Sequence, residues 1–438
     1  MSDKKANPWV SVVAVLGLIG AAGAGAAYRQ RLEMGSPLPR EAETLGLDEG
    51  TVVAQLNQAR TTSPNQTFYQ ITELIDRHYV EEVKDLEKLA VGSVKGMISS
   101  LADSNAIYFD KEQFAAKSRF LKGEALGIGV ELRYRFDEAE LTKYRAARKK
   151  ALSAREKGET PSEAEFDANL LVPDLLVSAV MPGSPAEKAG LRPGDVLLAV
   201  DSKEVISSQF RKELDALVDR IQSQTVSAEE ITKARETYKK RAENSIPPAR
   251  AMDKVLLGDT GQLALRWKTA SGEKKEAKVA KSLSEFAPVA DSSGTIQLQF
   301  TAGASEALRK AVQGKSKVMI DLSNAANGSY EEMVKCLEVL LPAGDYGSIK
   351  NPRLGSSNPF TLKGTGSATT QIGVNLGQNI NANPRLFVAV VQASEFKQGR
   401  IQQMGTAPPI PRIELFELQD HSAYEMPTGL YHQADVKS

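Results

Sequence analysis

A serine becomes a nucleophile only when a base stands within reach of its hydroxyl, and that base is most often a histidine or a lysine. Three histidines occur, His78, His421 and His432, and no two stand at metal-ligand spacing. The lone Cys336 rules out an internal disulfide and argues against any multi-cysteine zinc site, so neither metal nor other cofactor is expected. Ser394 is the serine whose setting invites a chemical role. It follows the apolar run Leu386-Phe-Val-Ala-Val-Val391, which reads as a buried strand delivering a side chain to a sheet edge, and Lys397 stands just beyond it. The same Ser-Glu-Phe-Lys reads more economically as a helix start, with Ser394 as its N-cap.

A second pattern suits recognition. Gly127-Ile128-Gly129-Val130 sets two glycines between apolar residues, which by itself is a tight entrance to a strand. Downstream, Val180 to Val205 reads VMPGSPAEKAGLRPGDVLLAVDSKEV. Gly183 and Gly190 permit tight turns, Ser184-Pro185 starts a short helix, Gly194-Asp195 turns the chain, and VLLAV is a strand.

Around these motifs, 438 residues allow two or three domains, each with its own core. Fifty-five basic residues balance 55 acidic ones, which gives no electrostatic reason to expect a nucleic-acid partner. Trp9 to Tyr28 carries no charge, about the length of one bilayer crossing, with Lys4 and Lys5 before it and Arg29 and Arg31 behind. Residues 1–31 are therefore expected to be an uncleaved membrane anchor. The alternative is a signal peptide cut after Ala24-Gly-Ala26, and both place the body outside the cytoplasm.

Residues 32–66 suit a linker, and 67–122 a small helical region with Phe68, Ile71 and Ile75, then Leu86, Leu89, Val94 and Met97, at helical spacings. Two charged stretches read as helical insertions, near 133–169 and 209–251. In the second, Phe210, Leu214, Leu217, Val218 and Ile221 share one face, and a capping box restarts the helix at Ser227-Ala-Glu-Glu230. These insertions are solvated helices packed on a neighbour or a docking hairpin for a partner protein. From 285 to 438, strand and helix alternate in an α/β pattern: Thr295 to Phe300, Ser305 to Gln313, Val318 to Leu322, and a helix capped by Ser329 that buries Met333, Cys336, Leu337 and Leu340. Pro342 to Pro384, rich in Gly, Ser and Asn, is a mobile surface or a set of short strands.

GSPAEKAGLRPGD followed by an apolar strand resembles a bacterial PDZ domain, placed at 123–284 with both insertions inside it. The resemblance implies strand addition of a peptide tail, with the backbone N–H groups of Gly127, Ile128, Gly129 and Val130 holding its terminal carboxylate and Phe210 and Leu214 facing it from the groove helix. The order SLADSNAIYFDKEQF, GEALGIGVEL, the PDZ motif, SGTIQLQF and VMIDLSNAANGSYEE resembles the carboxyl-terminal processing peptidases, or tail-specific proteases. That family implies exported, often membrane-anchored serine peptidases with a Ser/Lys dyad. Its nucleophile lies in a pattern like S-A-S-A-S-E after a strand, its base in a G-K-G turn some two dozen residues on, and its oxyanion loop reads D-L-R-x-N-x-G-G.

Aligning Ser394-Glu395 with the end of that pattern puts Gln392 at the nucleophile's position. No G-K-G follows, and the loop reads Asp321-Leu-Ser-Asn-Ala-Ala-Asn327-Gly328, without the arginine. The expectation is a multidomain α+β and α/β chain, anchored in the cell membrane with its body outside, whose PDZ domain binds C-terminal or apolar peptide segments and whose dyad is lost. The alternatives are an active, divergent serine endopeptidase cutting near C-termini, and a structural protein whose groove its own insertion blocks.

Overall fold

The computed structural model describes residues 71–72, 75, 86–99, 101–157, 171–222, 227–367, 369–393 and 409–433. The expected anchor and linker, and Ser394 with Lys397, lie outside them. Among the described residues no helix is long and apolar enough to cross a membrane. The chain divides into two compact units, one ending at Met97 and the other beginning at Ile98. The first is represented mainly by helix α1 (Leu86–Ser99).

The second unit opens with strand β1 (Ile107–Phe109), helix α2 (Lys111–Phe120) and the short β2 (Glu124–Ala125). Asp110 caps α2 in a full capping box with Gln113, which fixes where the helix begins. Next come β3 (Val130–Arg135), the inserted helix α3 (Glu138–Glu156), β4 (Asp174–Val180), the single-turn α4 (Pro185–Lys188), β5 (Val196–Val200) and β6 (Lys203–Val205). A second insertion, α5 (Ser208–Gln222) and α6 (Ala228–Glu243), precedes β7 (Ser245–Ile246), α7 (Pro248–Leu256), β8 (Gln262–Lys268) and β9 (Lys274–Ala280). Strands β3 to β9 make one seven-stranded sheet in which β3 is an outer edge. Its inner face is legible in β8, where Leu263, Leu265 and Trp267 are buried and alternate with partly or fully exposed neighbours, the two-residue period of a half-buried strand.

The capping box at Ser227 and Glu230 forms as the sequence suggests. Arg241 ties this hairpin to the sheet: its Nε and Nη2 donate to Glu204 at 2.6 Å each, Nη1 reaches Glu213, and its guanidinium lies 4.5 Å from the ring centre of Phe210. A bidentate pair with stacking orients a helix more firmly than a single point charge does.

The remainder is the α/β core. After β10 (Ser284–Glu285), which pairs with β2, come β11 (Val289–Ser292), β12 (Thr295–Leu298), α8 (Ala304–Val312), β13 (Lys317–Asp321) and α9 (Tyr330–Leu340). Then follow β14 (Pro342–Asn351), β15 (Ser356–Thr365), β16 (Gln371–Asn375), α10 (Ala382–Ala393), β17 (Ile410–Glu417) and β18 (Ala423–Gln433). Strands β12, β13 and β16 are parallel, with β11 antiparallel at one side; β1, β18, β14 and β15 form a second sheet, with β17 on β18. One apolar cluster joins both sheets and the three helices, including Phe300, Met333, Leu337, Leu362 and Phe387. The glycine-rich tract from Pro342 is thus three strands.

The run Leu386-Phe-Val-Ala-Val-Val391 is the interior of α10 and not the expected strand. From Leu386 to Val391 every side chain is at most 7% exposed. A helix buried all round loses its amphipathic period, so a continuous apolar run cannot separate it from a buried strand. Its start is set by Asn381-Ala-Asn383-Pro384, which places the proline in the first turn, where the missing N–H is not needed.

Candidate functional site

The helical reading of α10 moves the place where a nucleophile would stand. A strand does precede the segment, but it is β16, and from its end the chain runs Leu376-Gly-Gln-Asn379-Ile380-Asn381-Ala382-Asn383 into α10. Asn-Ile-Asn-Ala-Asn repeats the S-A-S-A-S spacing with an amide at every serine, and Asn381 takes the central position. Gln392 instead lies in the last turn of α10, and Ser394 falls just past the described residues. Two dozen residues beyond Asn381 the sequence reads Gly405-Thr-Ala-Pro-Pro409, with no lysine.

Asn381 is fully buried and its side chain is committed to hydrogen bonds. Its Oδ1 accepts from Arg133 Nε at 2.9 Å, and its Nδ2 donates to the carbonyls of Ala325 (3.1 Å) and Ser178 (3.4 Å). The flanking asparagines are spent likewise: Asn379 Nδ2 donates to the Leu322 and Ala325 carbonyls at 2.6 Å, and Asn383 Nδ2 to the Asn327 carbonyl at 2.7 Å. Side chains used in this way hold loops together; none is positioned to attack a carbonyl.

The loop from Asp321 to Gly328 is also occupied from within. The Asn327 backbone N–H donates to Glu131 Oε2 at 3.1 Å, and Ser178 Oγ donates to the same oxygen at 3.0 Å. Asn327 Nδ2 donates to Glu425 Oε1 at 3.0 Å. Lys117 Nζ lies 3.9 Å from Glu131 and 3.8 Å from Glu425, and Arg133 Nη2 lies 3.6 and 3.7 Å from the same two carboxylates. Burial works to raise the Glu425 carboxyl, but Lys117 and Arg133, with the Asn327 hydrogen bond, outweigh it and hold the group below the usual carboxylate range. The result is a buried, charge-balanced cluster contributed by α2, β3, the loop after β13 and β18.

The Gly127–Val130 loop lies at the start of β3. Gly127 and Gly129 have φ of +71° and +78°, and a Cβ on Gly127 would fall 2.1 Å from the Val255 carbonyl oxygen, so only glycine fits. The helix beside the loop is α7: Ala251, Met252 and Val255 pack in one cluster with Ile128, Val130 and Leu132. Phe210 sits elsewhere, buried in α5 against Arg241 and Tyr238, and Leu214 is one turn further along that helix. The hairpin interrupts the chain just where the groove helix was expected, and its own amphipathic face imitated one.

The loop's amides already have acceptors. Gly127 N–H donates to the Gly258 carbonyl at 2.9 Å, Ile128 N–H to the Val255 carbonyl at 3.4 Å, and Gly129 N–H to the Leu126 carbonyl at 3.4 Å. The two longer bonds exceed the ordinary N–H···O range and are correspondingly weak.

Sequence reasoning found this loop and the stretch holding Asn327 but missed Asn381, Arg133, Lys117, Glu131 and Glu425. The one signal available was the spacing of Asn379, Asn381 and Asn383 behind a strand.

Comparison with known proteins finds two matching domain families and a set of distant relatives. The PDZ domain family matches residues 176–231, and the N-terminal domain family of the activating protease CtpB matches residues 21–113. A probable CtpA-like serine protease of Staphylococcus aureus (strain N315) is 21% identical over 296 residues, 67% of this chain and 45% of that protein. The carboxy-terminal processing protease CtpB of Bacillus subtilis (strain 168) is 27% identical over 201 residues, 44% of this chain and 33% of that protein. The chain thus spans less than half the length of these relatives. Among solved structures, a photosystem II D1 C-terminal processing protease aligns over 85% of this chain and 89% of its own, at 16% identity and a TM-score of 0.49.

Proposed function

We propose that this chain, a PDZ-bearing relative of the carboxyl-terminal processing proteases, is a receptor for peptide tails that no longer cuts them. The observation that carries the reading is Asn381: a buried amide, bonded to Arg133 and two carbonyls, at the central position of the family's nucleophile pattern. An amide in that place supplies no nucleophile, and the Asn327 N–H is directed at a resident carboxylate.

Recognition keeps its means. β3 is an edge strand with α7 alongside, the geometry that strand addition requires. The long Ile128 and Gly129 hydrogen bonds are ones that a peptide carboxylate, a charged and therefore stronger acceptor, can replace. In this account the N-terminal apolar segment anchors the protein in the cell membrane with the PDZ domain outside the cytoplasm, and the α5–α6 hairpin is free to meet a partner protein. The ligand is a C-terminal segment with apolar side chains that fit between Val130, Met252 and Val255.

Fluorescence anisotropy of a labelled apolar peptide with a free C-terminus, against the full chain, tests the groove. A saturable rise that is lost on amidating the peptide is the expected result. Equal binding of the amidated peptide would remove the carboxylate-loop role.

A further inference from the structure

A small cavity of about 140 Å³ opens beside Asn381. Its walls include the two residues flanking that asparagine, Ile380 and Ala382, together with Ser104, Asn105, Arg133 and Arg385. Two guanidinium groups on so small a space call for an explanation, because like charges repel and each must be desolvated.

Arg133 is 2% exposed, and among the described residues its Nη1 has no hydrogen-bond partner. Its Nε is spent on Asn381, and its Nη2 faces Glu131 and Glu425. Arg385, in the first turn and a half of α10, is partly buried, and among the described residues its guanidinium makes no ion pair or hydrogen bond. Burial alone acts on it, pulling it below the usual arginine value. Within the buried cluster Lys117 and Arg133 cancel Glu131 and Glu425, so Arg385 is the surplus charge. Asp103, which adjoins the cavity residue Ser104 in the chain, is taken up by the backbone N–H of Asn105 at 2.8 Å and its Nδ2 at 3.3 Å.

A buried N–H without an acceptor costs free energy, and a desolvated cation without a counterion costs more. One anion in this cavity removes both penalties. Its charge should be single, to match one surplus cation, and a planar group suits the guanidinium fork. Ile380 and Ala382 add an apolar wall that a phosphate or sulfate would not use.

We propose that the cavity is a receptor for one carboxylate group, held by Arg133 and Arg385 and carried on a short aliphatic stem, either a free small acid or the end of a peptide chain. The site is separate from the PDZ groove and does not depend on the reading of that groove.

The test is a titration of the full chain with carboxyl-¹³C-labelled propionate, following the line width of the ligand, in wild type, Arg385→Gln and Arg385→Lys. Propionamide serves as the uncharged control. Saturable broadening in the wild type, at least about ten-fold weaker in Arg385→Gln and partly recovered in Arg385→Lys, is expected from loss of a charge-assisted bond. Propionamide should give none. Arg385→Gln should melt no lower than wild type, because it removes an unpaired, partly buried charge, and this separates lost binding from lost folding.

A tail peptide with a free terminus that displaces propionate identifies a chain end as the natural source; a peptide that does not displace it identifies a free acid. Absence of saturation up to roughly 100 mM propionate, the weak end of useful affinity, or equal affinity in Arg385→Gln, overturns the proposal. Anisotropy of a groove-bound peptide is unaffected by Arg385→Gln, so failure here leaves the groove reading standing, and the reverse holds too.

Discussion

Substituting Asn381→Ser puts a serine where the proposed reading places the family's nucleophile, and it should cost stability without producing peptidase chemistry. The Asn381 side chain accepts from Arg133 Nε at 2.9 Å and donates to Ala325 O at 3.1 Å. A serine hydroxyl, one atom shorter, cannot span both. Losing a bond to a charged donor costs about 1.5–3 kcal/mol, and the neutral bond about 1 kcal/mol. The Ala325 carbonyl keeps a second donor in Asn379 Nδ2, so the neutral loss is the smaller part. Arg133 already has one unpaired nitrogen and would gain another. The net expectation is a loss of roughly 2–4 kcal/mol, read from urea unfolding followed by fluorescence. Peptidase assays on the same variant should stay at background, because the sequence two dozen residues on, Gly405-Thr-Ala-Pro-Pro409, offers no lysine as a base. A loss below about 0.5 kcal/mol, the scale of an ordinary surface change, would show that the described bonds do not form. New cleavage blocked by a serine-directed inhibitor would refute the chemical half of the reasoning.

The remaining predictions follow from the same contacts. Glu425 has a folded-state pKa held below its unfolded value, so its contribution to stability is present above the unfolded carboxyl value, about 4.3, and is lost as pH falls through the lower folded value. Glu425→Gln should therefore lower stability at pH 7 and flatten the acid limb of a stability-against-pH curve; an unchanged limb would contradict this. The Cys336 thiol is buried and pushed up, so it should resist a thiol reagent at pH 8 in the native state and react fully in denaturant. Gly127→Ala brings a Cβ to 2.1 Å from the Val255 carbonyl oxygen at a positive φ, and should destabilise the PDZ domain by more than the roughly 1–2 kcal/mol of left-handed strain alone, seen as a lower melting temperature. Arg241→Ala removes the bidentate link to Glu204 and the contact with Phe210, so limited proteolysis should cut the α5–α6 hairpin sooner than in wild type.

Local rules made much of this fold legible. The capping residues Ser184, Ser227 and Ser329 start helices where the sequence puts them, since a cap depends on neighbours within a few residues. The alternation in β8 and the helical stripe of α9 survive for the same reason. What sequence alone misassigned depends on packing from all sides. Leu386 to Val391 carries no period because nothing about it faces water, and reading it as a strand drew attention to Gln392 and Ser394 rather than to the asparagines that precede α10. The helix beside the Gly127–Val130 loop was hidden differently: the α5–α6 hairpin is amphipathic and comes first, so Phe210 and Leu214 were read in the place that Met252 and Val255 take beside the loop. The ion cluster is assembled from Lys117, Arg133 and Glu425, hundreds of residues apart at its extremes, and no spacing rule brings them together.

The central claim is that recognition remains while hydrolysis is gone. Its most direct test is mass spectrometry of a mixture of unfolded proteins and tail peptides incubated for a day with the full chain, with bound and unbound fractions recovered separately. The account predicts enrichment of intact apolar tails in the bound fraction and no new termini in either. New termini that depend on the chain, and that vanish with a serine-directed inhibitor, would contradict it.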